Sequence, residues 1–295
     1  MTIRIGINPI GWSNDDMPEL GGDTPLETCL REARQAGYEG IELGGKFPRD
    51  PALLAGVLER HNLACISGWY GGALVARSVE EERALAAPHL ALLRAMGCDI
   101  VVFAEVDQTV HTRQRVPLSR RPRMPPDAWP DYGRKLTALA DQFAADGLRL
   151  AFHHHMGTVV QDEREIDALM AHTGPSVHLL LDTGHATWGG ADPVSLAQRY
   201  HARIAHVHAK DIRASVRAEA DREDWSFLDA VLAGVFTVPG DGSIDYVSVF
   251  RALRPYQGWI VVEAEQDPAR ANPLDYATLG RRNVASFIKQ AELGQ

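Results

Sequence analysis

Four short stretches of this chain concentrate residue types that bind divalent metals or move protons: His153-His154-His155, Asp182-Thr183-Gly184-His185, His206-Val207-His208-Ala209-Lys210 and Glu263-Ala264-Glu265. Each follows an apolar run of strand length, the position where parallel α/β proteins place their chemistry. Side chains alternate across a strand, so His153 with His155, His206 with His208 and Lys210, and Glu263 with Glu265 share faces and can converge on one centre. Imidazole nitrogens with carboxylate oxygens suit Mn2+, Co2+, Zn2+ or Fe2+, and the absence of thiolates from the set disfavours a closed structural zinc site. The expected ligands are His153, Asp182, His208 and Glu263, one per strand end, with the remaining positions left to substrate or water.

Lys210 is in phase with His208 and therefore near that centre, where a neighbouring cation favours the neutral amine, the form a base needs. His206 lies one pleat deeper and reads as core or as support for a ligand. Glu265 reads as a loop salt-bridge partner, and His154, with the opposite parity, as packing outward or capping a neighbour. Glu42 and Glu105 close apolar strands and are candidates for a hydrogen bond to substrate, with a structural pair as the alternative. Trp12 and Trp69 follow the first and third strands and offer aromatic walls to a ring-shaped ligand, with a packed mouth as the alternative.

The composition sets the bounds for these groups. At 295 residues and 45% hydrophobic content the chain has ample material for a core. A net charge of -9 argues against nucleic acid as a partner, because phosphate binding normally shows as a basic surface. A small neutral or weakly charged ligand fits better. Three cysteines without paired spacing form no disulfide framework and no zinc-finger pattern. The opening residues lack the basic-then-apolar layout of a signal peptide, and no run approaches the length of a membrane span, so no membrane partner is expected and the cytoplasm is the expected compartment.

Strands alternate with helices throughout. Strands are expected at Ile3 to Asn8, Gly40 to Gly44, Leu63 to Trp69, Ile100 to Glu105, Leu148 to His155, Val177 to Asp182, Ile204 to His208 and Trp259 to Glu263. Helices are expected from Asp23 or Thr24 to Gly37, Asp50 to His61, Ser78 to Met96, Asp127 to Gly147, Gln161 to His172, Pro193 to His201 and Leu274 to Lys289. Two excursions interrupt the rhythm. Residues 107 to 127 are rich in arginine and proline and read as a solvated loop, with a lid or subunit contact as the alternative. Residues 213 to 239 are expected to carry a helix around Trp225 to Leu232. Pro239 to Asp245 reads as a turn delivering Asp245 as an N-cap, and its Gly-x-Gly as turn chemistry rather than a phosphate loop.

Eight strands, each trailed by a helix, in a length near the ~250 residues typical of the fold, predict a single (β/α)8 TIM barrel domain over 1 to 295, with long loops after strands 4 and 7. An open doubly wound sheet is the alternative. Closure is preferred because the candidate residues follow five different strands, and only a closed ring brings so many strand ends to one point.

Asn8-Pro9-Ile10-Gly11-Trp12-Ser13-Asn14-Asp15-Asp16, Phe152-His153-His154-His155-Met156-Gly157-Thr158, Asp182-Thr183-Gly184-His185, His206-Val207-His208-Ala209-Lys210-Asp211, Val238-Pro239-Gly240-Asp241-Gly242 and Trp259 to Pro268 together resemble the inosose dehydratase family, within the wider xylose-isomerase-like barrel superfamily. The resemblance spans nearly the whole chain in the same order. The superfamily's usual set after strands five to eight is Glu, Asp, His, Glu. Asp182, His208 and Glu263 match it, while histidine, either His153 or His155, replaces the first glutamate.

The resemblance implies loss of water from 2-keto-myo-inositol (scyllo-inosose) to a trihydroxycyclohexane-1,2-dione, with Mn2+ or Co2+ as the metal and an association with glutathione. Elimination beside a ketone needs one base and one acid, and from that chemistry Lys210 or Glu263 is expected as base and His185 or His155 as the group protonating the leaving oxygen. His155, Trp12, Glu42 and Trp69 are the expected substrate contacts. A metal-dependent ketose isomerase or epimerase is the alternative activity, and a homo-oligomer is expected.

Overall fold

The computed structural model describes residues 3–294. The apolar runs become parallel strands buried on both faces, as all-parallel sheets require. β1 (Arg4–Ile7), β2 (Gly40–Leu43), β3 (Ala64–Gly72), β4 (Ile100–Glu105), β5 (Arg149–His153), β6 (Val177–Asp182) and β7 (Ile204–Ala209) follow one another round a barrel. β8 (Asp211–Ile212) and β9 (Phe236–Thr237) form a separate antiparallel pair, and β10 (Trp259–Val262) closes the ring. Ile260 of β10 lies opposite Ile5 of β1 and Val207 of β7.

The outer layer is α1 (Leu26–Gln35), α2 (Pro51–Arg60), α3 (Val79–Ala95), α4 (Trp129–Ala145), α5 (Glu163–His172), a short α6 (Thr183–Trp188), α7 (Pro193–Tyr200), α8 (Ala214–Arg222), α9 (Phe227–Ala233), α10 (Tyr246–Ala252) and α11 (Pro273–Ala291). Several helices begin where their side chains satisfy orphan amides: Ser78 and Asp162 each close a reciprocal capping box with the glutamate three residues on. Asp245 caps α10 by accepting from Ser248 N. α1 differs from the expected start, since Pro25 occupies the cap itself and the first helical residue is Leu26.

Both excursions are more ordered than their composition implies. Residues 213 to 239 hold two helices, α8 and α9, and the strand β9, which pairs with β8 just ahead of them, where one helix was expected. Residues 107 to 127 are tied down across the mouth: Val110 N donates to Gly157 O, Leu118 N to Trp225 O, and the buried Arg121 guanidinium pairs with Asp162 and Glu165 at 3.3 and 2.8 Å. Arg113, Arg115, Arg120 and Arg123 stay exposed as the solvated reading expects, while Val110, His111 and Arg121 are buried anchors that hold the loop in place. The Gly-x-Gly turn is also closed to anions, because Gly240 N and Gly242 N both donate to Asp211 Oδ2.

Three apolar layers result. One lies between sheet and helices, and a second fills the barrel with Ile100, Val102, Ala151, Leu180 and Ala205. The third is a roof over the C-terminal mouth, in which Met17, Met156, Trp188, Phe227 and Phe236 come from the segments after β1, β5, β6 and β7. This roof removes water from the strand ends beneath it.

Candidate active site

A shift in register between β6 and β7 sets the geometry at the strand ends. Leu179 pairs with Ile204 but Leu180 with His206, so β7 gains one residue on its neighbour. Such a bulge re-aims the side chains beyond it, which lets Ala205 fill the barrel while His206 and His208 still point at its centre. Gly184 is needed at the start of α6, because a Cβ there would meet Lys210 Cγ at 2.7 Å and the Lys210 carbonyl at 2.9 Å.

The carboxylate of Asp182 stands at the middle of the constellation. Its Oδ1 accepts from His185 N at 2.8 Å and starts α6. Its Oδ2 has no hydrogen-bond partner, and lies 3.5 Å from His153 Nε2, 3.6 Å from His208 Nδ1 and 3.7 Å from Lys210 Nζ. His208 Nδ1 is 3.0 Å from Glu263 Oε2. His153, Asp182, His185 and Glu263 each offer a ligand atom within 4.8 Å of the others. Three of the four expected ligands, His153, Asp182 and Glu263, thus lie together with His185, while His208 groups with Glu42 and His206 and meets the cluster through Glu263.

The ring orientations follow from their second nitrogens. His153 Nδ1 donates to His154 O at 2.7 Å, so its Nε2 lone pair faces Asp182. His208 Nε2 is 3.1 Å from Glu42 Oε2, which leaves Nδ1 for the centre. A carboxylate or carbonyl behind a ligating imidazole is the usual support of a metal site. Two buried atoms without partners, Asp182 Oδ2 and His208 Nδ1, in an all-N/O set with no thiolate, fit a divalent cation.

Several expectations are corrected. Glu42 does not present a free carboxylate to a ligand, since its oxygens are engaged by His206 (2.8 Å), His208, Ser67 (2.5 Å) and Asn8 (2.8 Å). Burial pushes its pKa up, but the two imidazoles outweigh that and hold it well below the usual carboxylate range.

Lys210 is not the neutral amine of a base. Burial opposes its charge, yet Glu263 Oε1 at 2.5 Å, Glu265 Oε1 at 2.8 Å and Asp182 more than compensate and hold it as an ammonium. Glu263 is correspondingly held down to about 2, with Lys210 and His208 overcoming the cost of burial. Glu265 is not an ordinary loop partner, because it lines the pocket and is buried. His154 is fully buried, with neither ring nitrogen bonded, rather than capping a neighbour. Glu105 accepts from Val75 N and Asp107 N and is occupied by its own loops.

Trp12 also faces away from any ligand. Its indole is buried and donates from Nε1 to Glu32 Oε2 at 2.7 Å, outside the residues that line the pocket. Trp12→Phe is accordingly expected to leave KM for the substrate unchanged and to lower stability by about 1.5–3 kcal/mol, the range for a hydrogen bond to a charged group. Thermal unfolding and steady-state kinetics on the same preparation check both halves.

Trp69 and His155 do line the pocket, a space of about 100 Å³ bounded also by Asn8, Asp16, His153, His208, Glu263 and Glu265. Trp69 is 40% exposed and meets His153 and His155 edge-on at 5.3 and 5.8 Å, so its apolar face is open to a ring. His155 Nδ1 donates to Met156 O, which turns its Nε2 lone pair outward as an acceptor. His185 lies under the roof against Phe227 and Phe236. Burial keeps both imidazoles well below their usual range; His155 gives its Nδ1 proton to Met156 O, and His185 turns its Nε2 to Lys210, outside the residues that line the pocket. Asp16, on the loop after β1, lines the same pocket, and His111, on the loop after β4, stands 3.7 Å from Asp16; neither is an expected site residue from the sequence, although Asp16 closes the motif that begins at Asn8. Neither ends a strand, the position from which most of the site residues are expected.

Comparison with known proteins gives the family and the fold. The model of the xylose isomerase-like TIM barrel family matches residues 30–284. The chain is 53% identical over 293 residues to the rhizopine catabolism protein MocC of Rhizobium meliloti, covering 99% of this chain and 90% of that one. It is 42% identical over 286 residues to the inosose dehydratase of Lacticaseibacillus casei, covering 96% of each. Among solved structures, the IOLI protein, crystallised with a bound zinc atom, superposes with a TM-score of 0.65 at 16% identity, over 98% of both chains. At that identity the likeness is one of fold.

Proposed function

The chain belongs to the xylose isomerase-like TIM barrel family, and from that membership we propose that it is a metal-dependent hydro-lyase acting on 2-keto-myo-inositol (scyllo-inosose), with a trihydroxycyclohexane-1,2-dione as product. The observation that carries this reading is full-length identity to an inosose dehydratase. The pocket beneath the roof supports it with a donor set suited to a cation.

The difficult step is chemical rather than steric. The hydrogen beside a ketone is acidic only where the developing enolate is stabilised. His153, Asp182, His208 and Glu263 would hold a divalent cation, which would supply Lewis-acid stabilisation of that charge, worth several kcal/mol. The protein's own groups do the rest. Glu42 holds the His208 ring through Nε2, and the His154 carbonyl holds His153. Trp69 walls the sugar ring and His155 Nε2 accepts from one of its hydroxyls. Lys210 is a positioning residue, holding Glu263 and Glu265 side by side.

The role of base falls to Glu265 rather than Lys210 or Glu263. Burial pushes its carboxyl up, with Lys210 only partly offsetting this, and its Oε2 has no hydrogen-bond partner. Mn2+ or Co2+ is the metal of this reading and the cytoplasm its setting. A glutathione requirement is tested by its omission from the assay.

Incubation with Mn2+ and scyllo-inosose is expected to produce enedione-type ultraviolet absorbance, abolished by EDTA. An isomerase or epimerase returns the abstracted proton and produces no such band. Metal binding has an independent readout: at a hundredfold excess over Kd the cation stabilises the fold by about 2.7 kcal/mol. A melting temperature unmoved by Mn2+, Co2+ or Zn2+ would exclude the metal. The higher identity to MocC favours a second reading, a role in rhizopine catabolism. Metal binding without turnover of the inosose would turn the assignment that way.

A further inference from the structure

Elimination needs an acid at the departing oxygen as well as a base at carbon, and the strand-end imidazoles leave that place open. His155 spends its Nδ1 proton on Met156 O. His185 accepts from Met156 N at Nδ1 and meets Lys210 Nζ at Nε2. Among the carboxylates that line the pocket, Glu42, Glu263 and Glu265 each have histidine or lysine partners, and Asp15 Oδ2 accepts from Gly45 N. Asp16 alone accepts no hydrogen bond from the described residues.

Its place is nonetheless fixed. Asn14, itself buried, accepts from the amides of Asp16 and Met17 at 2.8 and 2.9 Å, and Met17 is anchored in the roof. The side chain keeps 26% exposure and lines the pocket. Across from it stands the buried His111, whose protonation follows from its neighbour. Thr109 Oγ1 donates its one proton to Gly157 O at 2.9 Å, so at 2.6 Å it accepts from His111 Nδ1. His111 Nε2 is then a lone pair, 3.7 Å from Asp16 Oδ1. That gap is too long for a direct hydrogen bond and admits one hydroxyl oxygen in contact with both groups.

We propose that Asp16 is the catalytic acid of the dehydration, protonating the departing β-hydroxyl, and that His111 Nε2 accepts a hydrogen bond from that hydroxyl and so orients it. The inference rests on the dehydratase reading and assigns a residue within it. The α C–H bond breaks with its proton going to the base, and its electron pair forms the new C=C bond. The β C–O bond breaks with its pair on oxygen, which takes the Asp16 proton and leaves as water. Asp16 is left as a carboxylate, and solvent returns to it the proton that the base gives up.

The surroundings suit a carboxylic acid. Burial, with Glu265, Asp15 and Glu263 nearby, pushes Asp16 up to about 7 against the opposing pull of Lys210. His111, held near 4 by burial and His153, adds no positive charge at neutral pH.

The test is Asp16→Asn, an isostere without the proton, assayed with Mn2+ and scyllo-inosose in deuterium oxide. Elimination is expected to fall roughly 10²- to 10⁴-fold, the usual contribution of a positioned acid. Exchange of the α-hydrogen for deuterium should continue, and an analogue carrying fluoride in place of the departing hydroxyl should be processed at near the wild-type rate. Undiminished elimination by Asp16→Asn would overturn the assignment while leaving the dehydratase reading intact. Joint loss of exchange, elimination and fluoride release would also overturn it, by making Asp16 structural. Wild-type protein that neither exchanges nor eliminates would remove the underlying reading and the proposal with it.

Discussion

Asp182→Asn is expected to weaken Mn2+ binding by roughly 10³-fold, equivalent to about 4 kcal/mol, and to take turnover below detection. Asparagine preserves the shape and the cap on His185 N, because Oδ1 can still accept there. What it removes is the negative charge at Oδ2, the atom that His153, His208 and Lys210 all face and none of them hydrogen-bonds. Folding should change little by comparison, since Lys210 keeps Glu263 and Glu265. Titration calorimetry with Mn2+ measures the first effect directly. Binding within tenfold of wild type would mean that Asp182 is not a ligand, and the proposed centre would have to be rebuilt without it.

Lys210→Met has its largest expected effect on stability. The ammonium is fully buried, and its removal leaves Glu263 and Glu265 together in a low-dielectric site without their cation. Breaking a buried ionic cluster from one side typically costs about 3–5 kcal/mol, more than the methionine regains by avoiding desolvation of the amine. The proton affinity of Lys210 is raised in the folded state, so its contribution is fully present below its unfolded pKa of 10.5 and constant through neutral pH. It would be lost only in strongly alkaline solution.

Turnover of Lys210→Met should fall as well, by about 10²-fold, because Glu263 and Glu265 lose their relative placement. A divalent cation can compensate part of the missing charge, and the stability loss should therefore be larger in EDTA than in Mn2+. Equal melting temperatures of mutant and wild type in EDTA, with near-normal turnover, would leave Lys210 without a role.

Much of this protein is legible along the chain because its barrel strands are local signals. Runs such as Ile100–Glu105 and Val177–Asp182 are apolar on both faces, and this pattern belongs to a parallel sheet covered by helices. Where such a run stops at His153, Asp182, His208 or Glu263, the break marks the end that carries chemistry. Alternation then assigns each residue a face without reference to the rest of the fold.

The errors have a common origin in contacts made across the chain. Glu42 looks like any strand-end carboxylate until His206 and His208, 164 and 166 residues away, are found upon it. Trp12 follows a strand as a pocket residue does, but Glu32 on α1 turns its indole outward. Lys210 was given the wrong charge because one expected cation was weighed and three surrounding carboxylates were not.

The amino-acid order by itself determined the number of barrel strands, their parallel sense and the set of polar residues at their ends, since burial and alternation depend only on near neighbours. Tertiary structure alone decided the charge on each of those residues and which of them face a ligand. Proton affinity and orientation depend on the sum of fields and hydrogen bonds from segments far apart in sequence, and that sum exists only once the barrel has closed and the roof has excluded water.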